Sequence, residues 1–394
     1  MEATSAMSAH MSPRKPGHVC YVINSVGNSG GAERALIAMA PYYAMDGIRL
    51  DIVYFEDKTG LSAQLEAAGA RMFHLTGSRR ALIQGLTKLL RENRPDLVHT
   101  TLAKANMVGR TAARRARVPV VTSLVNVSYG PEYLKDPGLQ AWKVRALHAS
   151  DAATAWRVRR FHALTEHVAD VMARRLLVPR HRIDVVPRGR DPLALGERTQ
   201  ERREAVRGEL GIADDVPLVL SAARHERQKG LDVLVEAFGL VRQHVPQARL
   251  VMAGREGNQT AGLQAQIARL GLGDSVEILG RRSDVPDLMC AADCFVVPSR
   301  WEGLGSVLVE AMALQVPIVA SDVAPIRETT AGEECASLVT PESPTKLAAA
   351  IVETLTESVG SAERVKLGRA RFEAHYTMDQ VWEGMRAFYA RALP

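Results

Sequence analysis

The stretch Cys294-Phe-Val-Val-Pro298-Ser-Arg-Trp-Glu302-Gly303-Leu304-Gly305-Ser306-Val-Leu-Val-Glu310-Ala-Met312 holds the unit from which the fold is built. The short apolar run Cys294–Pro298 reads as a buried strand, two glycines mark a turn, and the chain then opens into a helix. A strand of this kind, followed at once by a helix, belongs to a parallel sheet covered on both faces.

Working outward, the same alternation runs through the rest of the chain. In the second half strands are predicted at Leu218–Ala222, Arg249–Ala253, Val276–Leu279, Ile318–Ala320 and Ser337–Val339. Helices begin near Gly230, Gln259, Asp284, Ser306, Ile326 and Pro344. In the first half strands are predicted at His18–Asn24, Leu50–Phe55, Arg71–His74, Leu97–Thr100, Val118–Leu124, Ala152–Ala155 and Asp184–Val186. Helical stretches such as Ala32–Met45, Arg80–Asn93 and Ala105–Ala116 separate them. Between the halves, Pro187 to Glu209 lacks apolar periodicity and is dense in charge, which reads as a linker. The expected organisation is a flexible lead-in at 1–17, a domain at 18–188, a linker at 189–212, a second domain at 213–360 and closing helices at 361–394. Each domain is expected to be a doubly wound α/β layer that binds ligands beyond the carboxyl ends of its strands.

Composition is consistent with this. The 394 residues suit two medium domains, and 46% hydrophobic with 24% charged residues is the balance of a folded protein. No apolar run approaches the roughly 18 residues of a membrane span. Met1 to Gly17 carries Arg14 and Lys15 but no apolar stretch behind them, so no signal peptide is expected. Cys20, Cys290, Cys294 and Cys335 follow no zinc spacing and read as buried reduced thiols of a cytoplasmic protein. Residues 1–190 carry about 13 more Lys and Arg than Asp and Glu, and residues 191–394 about 7 fewer, within a net charge of +6. A basic first half suits an anionic partner. No nucleic-acid motif occurs in it, so the partner expected is a phosphorylated substrate or an acidic membrane surface; solvated helix faces rich in arginine explain the charge equally well.

Three loops carry candidate chemistry. In the opening stretch, Glu302 stands just before the helix and Glu310 little more than a turn inside it. Carboxylates accept from sugar hydroxyls, while the unpaired amides at a helix start favour phosphate. By themselves the two glutamates are equally a capping carboxylate and a solvated helix position. The second loop, Ser221-Ala-Ala-Arg224-His225-Glu226-Arg227-Gln228-Lys229-Gly230, follows the first strand of the second domain. Arg224 and Lys229 there could neutralise a diphosphate leaving group. The third, Ser25-Val-Gly27-Asn28-Ser29-Gly30-Gly31-Ala-Glu33-Arg34, is a glycine-rich turn into a helix that does not match the dinucleotide fingerprint.

Taken together with Pro95-Asp-Leu-Val-His99 and Val186-Pro-Arg-Gly189, these loops resemble glycosyltransferase family 4, over roughly residues 18 to 390. The resemblance implies a GT-B fold, with two Rossmann-like domains facing a central cleft. It implies a retaining glycosyltransferase that moves a sugar from a nucleotide-sugar donor of UDP or GDP type to a sugar or lipid-linked acceptor, in glycan, polysaccharide or glycolipid biosynthesis. No cofactor and no metal are implied, and no Asp-x-Asp motif is present. Glu302, Arg224 and Lys229 would be catalytic. The donor would be held by Gly30, Gly31, Arg224, Lys229, Arg281, Val285, Glu302, Gly303, Leu304, Gly305, Ser306 and Glu310, with the base near 280–285 and the ribose at Glu310. The closing helices would cross back onto the first domain. The histidine that many relatives carry after the fifth strand is missing from Val121-Thr-Ser-Leu-Val125-Asn126, which leaves Asn126 and His99 as acceptor-side candidates. Arg188 and Arg190 around Gly189 stand where neutral residues are common. Two other activities fit the same frame, a sugar-nucleotide 2-epimerase and a non-catalytic sugar-nucleotide-binding protein. The expected location is cytoplasmic, with peripheral association at the inner face of the plasma membrane.

Overall fold

The computed structural model describes residues 15–27, 30–56, 60–131 and 140–394. Asn28, Ser29 and most of the expected lead-in lie outside the described residues. Two parallel sheets organise the rest. The first has seven strands in the order β3-β2-β1-β4-β5-β6-β7. They are β1 His18–Val22, β2 Arg49–Tyr54, β3 Arg71–His74, β4 Leu97–Thr101, β5 Val120–Leu124, β6 Arg160–Ala163 and β7 Ile183–Val185. The second has six, in the order β10-β9-β8-β11-β12-β13. They are β8 Leu218–Ala222, β9 Arg249–Ala253, β10 Val276–Gly280, β11 Cys294–Val297, β12 Ile318–Ser321 and β13 Ser337–Val339.

Both sheets are doubly wound, and the order of strands reverses between β1 and β4 in one and between β8 and β11 in the other. At such a reversal the flanking loops diverge to opposite faces and leave a crevice at the carboxyl ends. The loops that leave β1, β8 and β11 are the three singled out from the sequence, so topology alone brings them to the crevices.

Both faces of each sheet are buried, which is why the strands read as continuous apolar runs. The four cysteines are buried and unpaired with one another. The last helix, Met378–Ala392, crosses back onto the first domain. Its Met385, Phe388 and Tyr389 are fully buried with Val19, Ile23 and Leu36, and each such side chain contributes roughly 1.5–3 kcal/mol of burial. The chain therefore passes between the domains twice, and the two passages pair: Arg190 N–H donates to Tyr376 O at 2.8 Å, and Met378 N–H donates to Arg190 O at 3.1 Å.

Two segments differ from the expectation. Residues Ala152–Ala155 end the helix Ala141–Ala155, and the strand lies later at Arg160–Ala163. Alanine favours helix, and the run lacks β-branched weight. The true strand was hidden by polar residues, whose partners are in the fold: Arg160 pairs with Asp184 at 2.6 Å, and His162 meets Ser123 Oγ and Val186 O. The expected linker is largely helical, at Pro192–Leu195 and Gln200–Glu209. Its arginines dock on the second domain. Arg198, Arg203 and Arg207 donate to the carbonyls of Cys290, Ala291 and Ala292, which end the helix Val285–Ala291. Arg203 and Arg207 also pair with Asp293 at 2.8 and 2.7 Å. Cations at a helix carboxyl end satisfy its orphan carbonyls, so a run that reads as solvated is a packed one.

Candidate active site

The second-domain wall of the cleft forms where the loops after β8 and β11 meet. Gly230 makes the meeting tight. It sits at φ +63°, and a methyl group there would stand 2.1 Å from Pro298 O. Across this contact Lys229 Nζ donates to Glu302 Oε1, and Ser299 Oγ donates to the same oxygen at 2.8 Å. Glu302 is 6% exposed. Its Oε2 takes no hydrogen bond among the described residues and is not sealed off, so one carboxylate oxygen is fixed and the other keeps access to solvent. Gln228 Nε2 donates to Trp301 O at 2.8 Å, and Arg300 bridges Asp232 and Glu342, which ties the two loops together from behind.

The helix Ser306–Ala313 starts from this turn with Gly305 as its N-cap. The N–H groups of Gly303, Leu304, Gly305 and Ser306 donate to no protein group among the described residues. Four amides beside a carboxylate can receive a phosphate and a sugar hydroxyl together. Glu310 is 5% exposed, and Arg190 Nε donates to its Oε1 at 2.6 Å. Its second oxygen is again unused and not sealed off. Arg224 is half-exposed and leans on Glu226 at 3.3 Å, beside Lys229 in the chain but not part of its ion pair. Arg281 and Val285 lie at the carboxyl end of β10, the edge strand of the second sheet.

The first-domain wall is different. Gly30 and Gly31 begin the helix Gly31–Met45 as expected, but its own Glu33 folds over the start. A methyl group on Gly30 would lie 2.2 Å from Glu33 Oε2, and Ser25 Oγ donates to Glu33 Oε1 at 3.3 Å. The Arg188 guanidinium lies against Gly31. Asn126 turns its Oδ1 to the N–H of Val127 at 2.8 Å, leaving its amide nitrogen without a partner among the described residues. His99 is not brought to the cleft. It is fully buried, with Nδ1 2.7 Å from Tyr389 Oη and Nε2 2.7 Å from Ser123 Oγ. Burial, with His162 nearby, holds its pKa well below the ordinary value, so it is a neutral core imidazole.

The two walls touch at Gly303. A methyl group there would stand 2.2 Å from Val125 O and 3.1 Å from the Cα of Asn126. Thr165 Oγ1 donates to Gly303 O at 3.1 Å, and Glu328 of the second domain accepts from the N–H groups of Glu166 and His167 at 2.7 and 3.1 Å.

Residues 202–371 match the family described as Glycosyl transferases group 1, and residues 29–192 match Glycosyltransferase Family 4. A D-inositol 3-phosphate glycosyltransferase of Xylanimonas cellulosilytica is 30% identical over 315 residues, 75% of this chain and 72% of its own length. The chain belongs to glycosyltransferase family 4. Another relative, the alpha-D-kanosaminyltransferase of Streptomyces kanamyceticus, is 28% identical over 57% of this chain and 58% of its own. HepE of Anabaena, solved in complex with UDP, superposes with a TM-score of 0.81 at 24% identity, covering 93% of this chain and 98% of that one. WaaG, a glycosyltransferase involved in lipopolysaccharide biosynthesis, superposes with a TM-score of 0.74 at 19% identity over 94% and 98% of the two chains. These likenesses establish the GT-B fold.

Membership makes the chain a glycosyltransferase rather than an epimerase or a binding protein. Within that family frame the structure joins Lys229 to Glu302 and places Gly303 to Ser306 beside them. Sequence reading gave no role to Ser299, Thr165 or Arg190. Ser299 stands three residues before Glu302 and could have been found from that spacing. The contacts of Thr165 with Gly303 and of Arg190 with Glu310 span 138 and 120 residues, and no local pattern announces them.

Proposed function

We propose that this glycosyltransferase transfers a hexose from a nucleoside-diphosphate sugar of UDP or GDP type to a sugar or lipid-linked acceptor, with retention and without a metal ion. The observation that carries the reading is the Lys229–Glu302–Ser299 cluster beside four free amides. Glu302 Oε2 would accept from a hydroxyl of the transferred sugar. Lys229, Arg224 and the amides would take up the charge that develops on the departing diphosphate, which lowers the barrier without a divalent cation. Glu310 Oε2 would accept from the donor ribose, and residues 280–285 would border the base. Retention follows if the acceptor attacks from the face the diphosphate leaves, with that phosphate receiving the acceptor proton. UDP in the HepE complex supports a nucleoside-diphosphate donor.

The test is thermal stabilisation by a panel of nucleoside diphosphates and their sugars, with and without EDTA. Stabilisation by one base that survives EDTA is expected. A shift that disappears with EDTA would overturn the metal-free reading, and no shift with any nucleotide would overturn the donor site.

We also infer peripheral association with anionic membranes. Trp142 and Trp156 are 66% and 60% exposed on the basic first domain. Lys143 lies over the first ring, and Arg114 and Arg157 over the second. Exposed indoles flanked by cations suit a headgroup layer. Binding to anionic vesicles that weakens with salt is expected; equal recovery with neutral vesicles would sink the idea.

A further inference from the structure

Three cations around the cleft are held by carboxylates, and Arg188 is not. Lys229 meets Glu302, Arg190 meets Glu310 and Arg224 meets Glu226. Arg188 makes no hydrogen bond and no ion pair among the described residues. Its place is nonetheless inside the site. A methyl group on Gly31 would stand 2.6 Å from its Nη1, and the carboxylates of Glu33 and Glu302 and the Tyr21 phenol act on its charge without touching it. Burial and the neighbouring Arg190 draw its pKa down to about 10, so it remains a cation at neutral pH.

Neither nearby carboxylate pairs with it. Glu33 is folded onto Gly30 and the Ser25 hydroxyl, and Glu302 holds Lys229. Arg188 is half-buried, and none of its nitrogens is sealed from solvent without a partner, so the unpaired guanidinium keeps some access to solvent. It lines a cavity of about 20 Å³ together with Tyr21, Thr101, Ser123 and His162. That volume holds about one water molecule and no larger ligand. Gly31 beside it and the charge of Glu302 acting on it place the guanidinium at the cleft. A partly desolvated guanidinium with no counter-ion is an unfavourable arrangement unless a ligand supplies the charge. Its planar fork matches the two oxygens of a phosphate.

We propose that Arg188 is a phosphate-binding residue of the cleft, reaching it from the first-domain side and the segment that joins the domains. The reading rests on the transfer site proposed above and deepens it. The phosphate comes either from the donor diphosphate or from a phosphorylated acceptor. The helix start at Gly31 is not itself the site, because Glu33 covers it.

Calorimetric titration of the full chain separates the two sources. The wild type, Arg188→Gln and Arg188→Lys are titrated first with UDP and GDP. Each is then titrated, with the binding nucleotide saturating, with inorganic phosphate and glucose 6-phosphate against glucose. If Arg188 holds the donor, nucleotide affinity falls about 10- to 100-fold in Arg188→Gln, the factor expected for a lost charge-assisted hydrogen bond. If it holds an acceptor phosphate, nucleotide affinity stays within twofold, and phosphate or glucose 6-phosphate binding to the nucleotide-bound wild type is lost in the variant. Arg188→Lys keeps the charge without the fork and shows the same loss at smaller size, and it carries the test if Arg188→Gln does not fold. Equal nucleotide and phosphate binding in all three proteins would overturn the proposal. Should neither nucleotide bind the wild type, the donor reading fails. Phosphate titration of the free protein then decides Arg188 separately, binding that depends on the arginine supporting it and indifference to the arginine refuting it.

Discussion

On the second-domain wall of the cleft, Glu302, Glu310 and Arg300 are each held by an opposite charge, and their neighbours are backbone amides with nothing to bind. On the first-domain wall, Glu33 and Asn126 turn their polar atoms inward, to Ser25 and Val127, and His99 behind it is bound to Ser123 and Tyr389 in the core. The first arrangement is rigid before any ligand arrives. Groups aimed in advance at a developing charge need little reorganisation, which is where electrostatic catalysis gains most. The second arrangement offers a ligand mainly shape, one amide nitrogen and the Arg188 guanidinium. Under the proposed function the contrast would put the chemistry on one wall and discrimination among partners on the other, and it can be broken at three places.

The largest effect is expected from the paired wall. Glu302→Ala and Lys229→Ala should each lower transfer by about 10²–10³-fold or more, in the range of losing a positioned electrostatic partner. Each leaves a buried charge without its mate, so thermal unfolding must accompany the kinetics. Near wild-type transfer by a folded variant would remove that residue from the chemistry.

A smaller effect is expected where the walls meet. Gly303→Ala drives a methyl group toward Val125 O and should cost about 1–3 kcal/mol as overpacking. The cost falls on the contact between domains, so turnover should drop more than the melting temperature. The opposite balance would show that the two walls do not need to close in this geometry.

The mildest break is at the hinge. Arg190→Gln frees Glu310 from the segment that joins the domains. Donor KM should rise about tenfold, the worth of one charge-assisted hydrogen bond, with kcat little altered. A matched titration with a 2′,3′-dideoxynucleoside diphosphate should show no difference between variant and wild type. If both nucleotides weaken equally, Arg190 supports the fold rather than the ribose site.

Much of this was legible in the chain. The alternation of apolar strands with helices determined two doubly wound sheets, and a fixed alternation leaves few topologies. Local spacing also determined that Lys229 and Glu302 sit in loops at carboxyl ends, because a loop that follows a buried strand cannot be elsewhere. Where local signals competed, they misled: Ala152–Ala155 looked like a strand because burial was read without propensity, and the arginines of 200–209 looked solvated because their carbonyl partners lie some 85 residues away. Only the tertiary structure decided that His99 is a core residue, that Glu33 covers the first glycine turn, that Arg190 holds Glu310 and that Arg188 has no counter-ion. Periodicity fixes which face of an element is apolar, but the partner of a polar atom is chosen by packing across the whole chain, and one sequence does not spell out that choice.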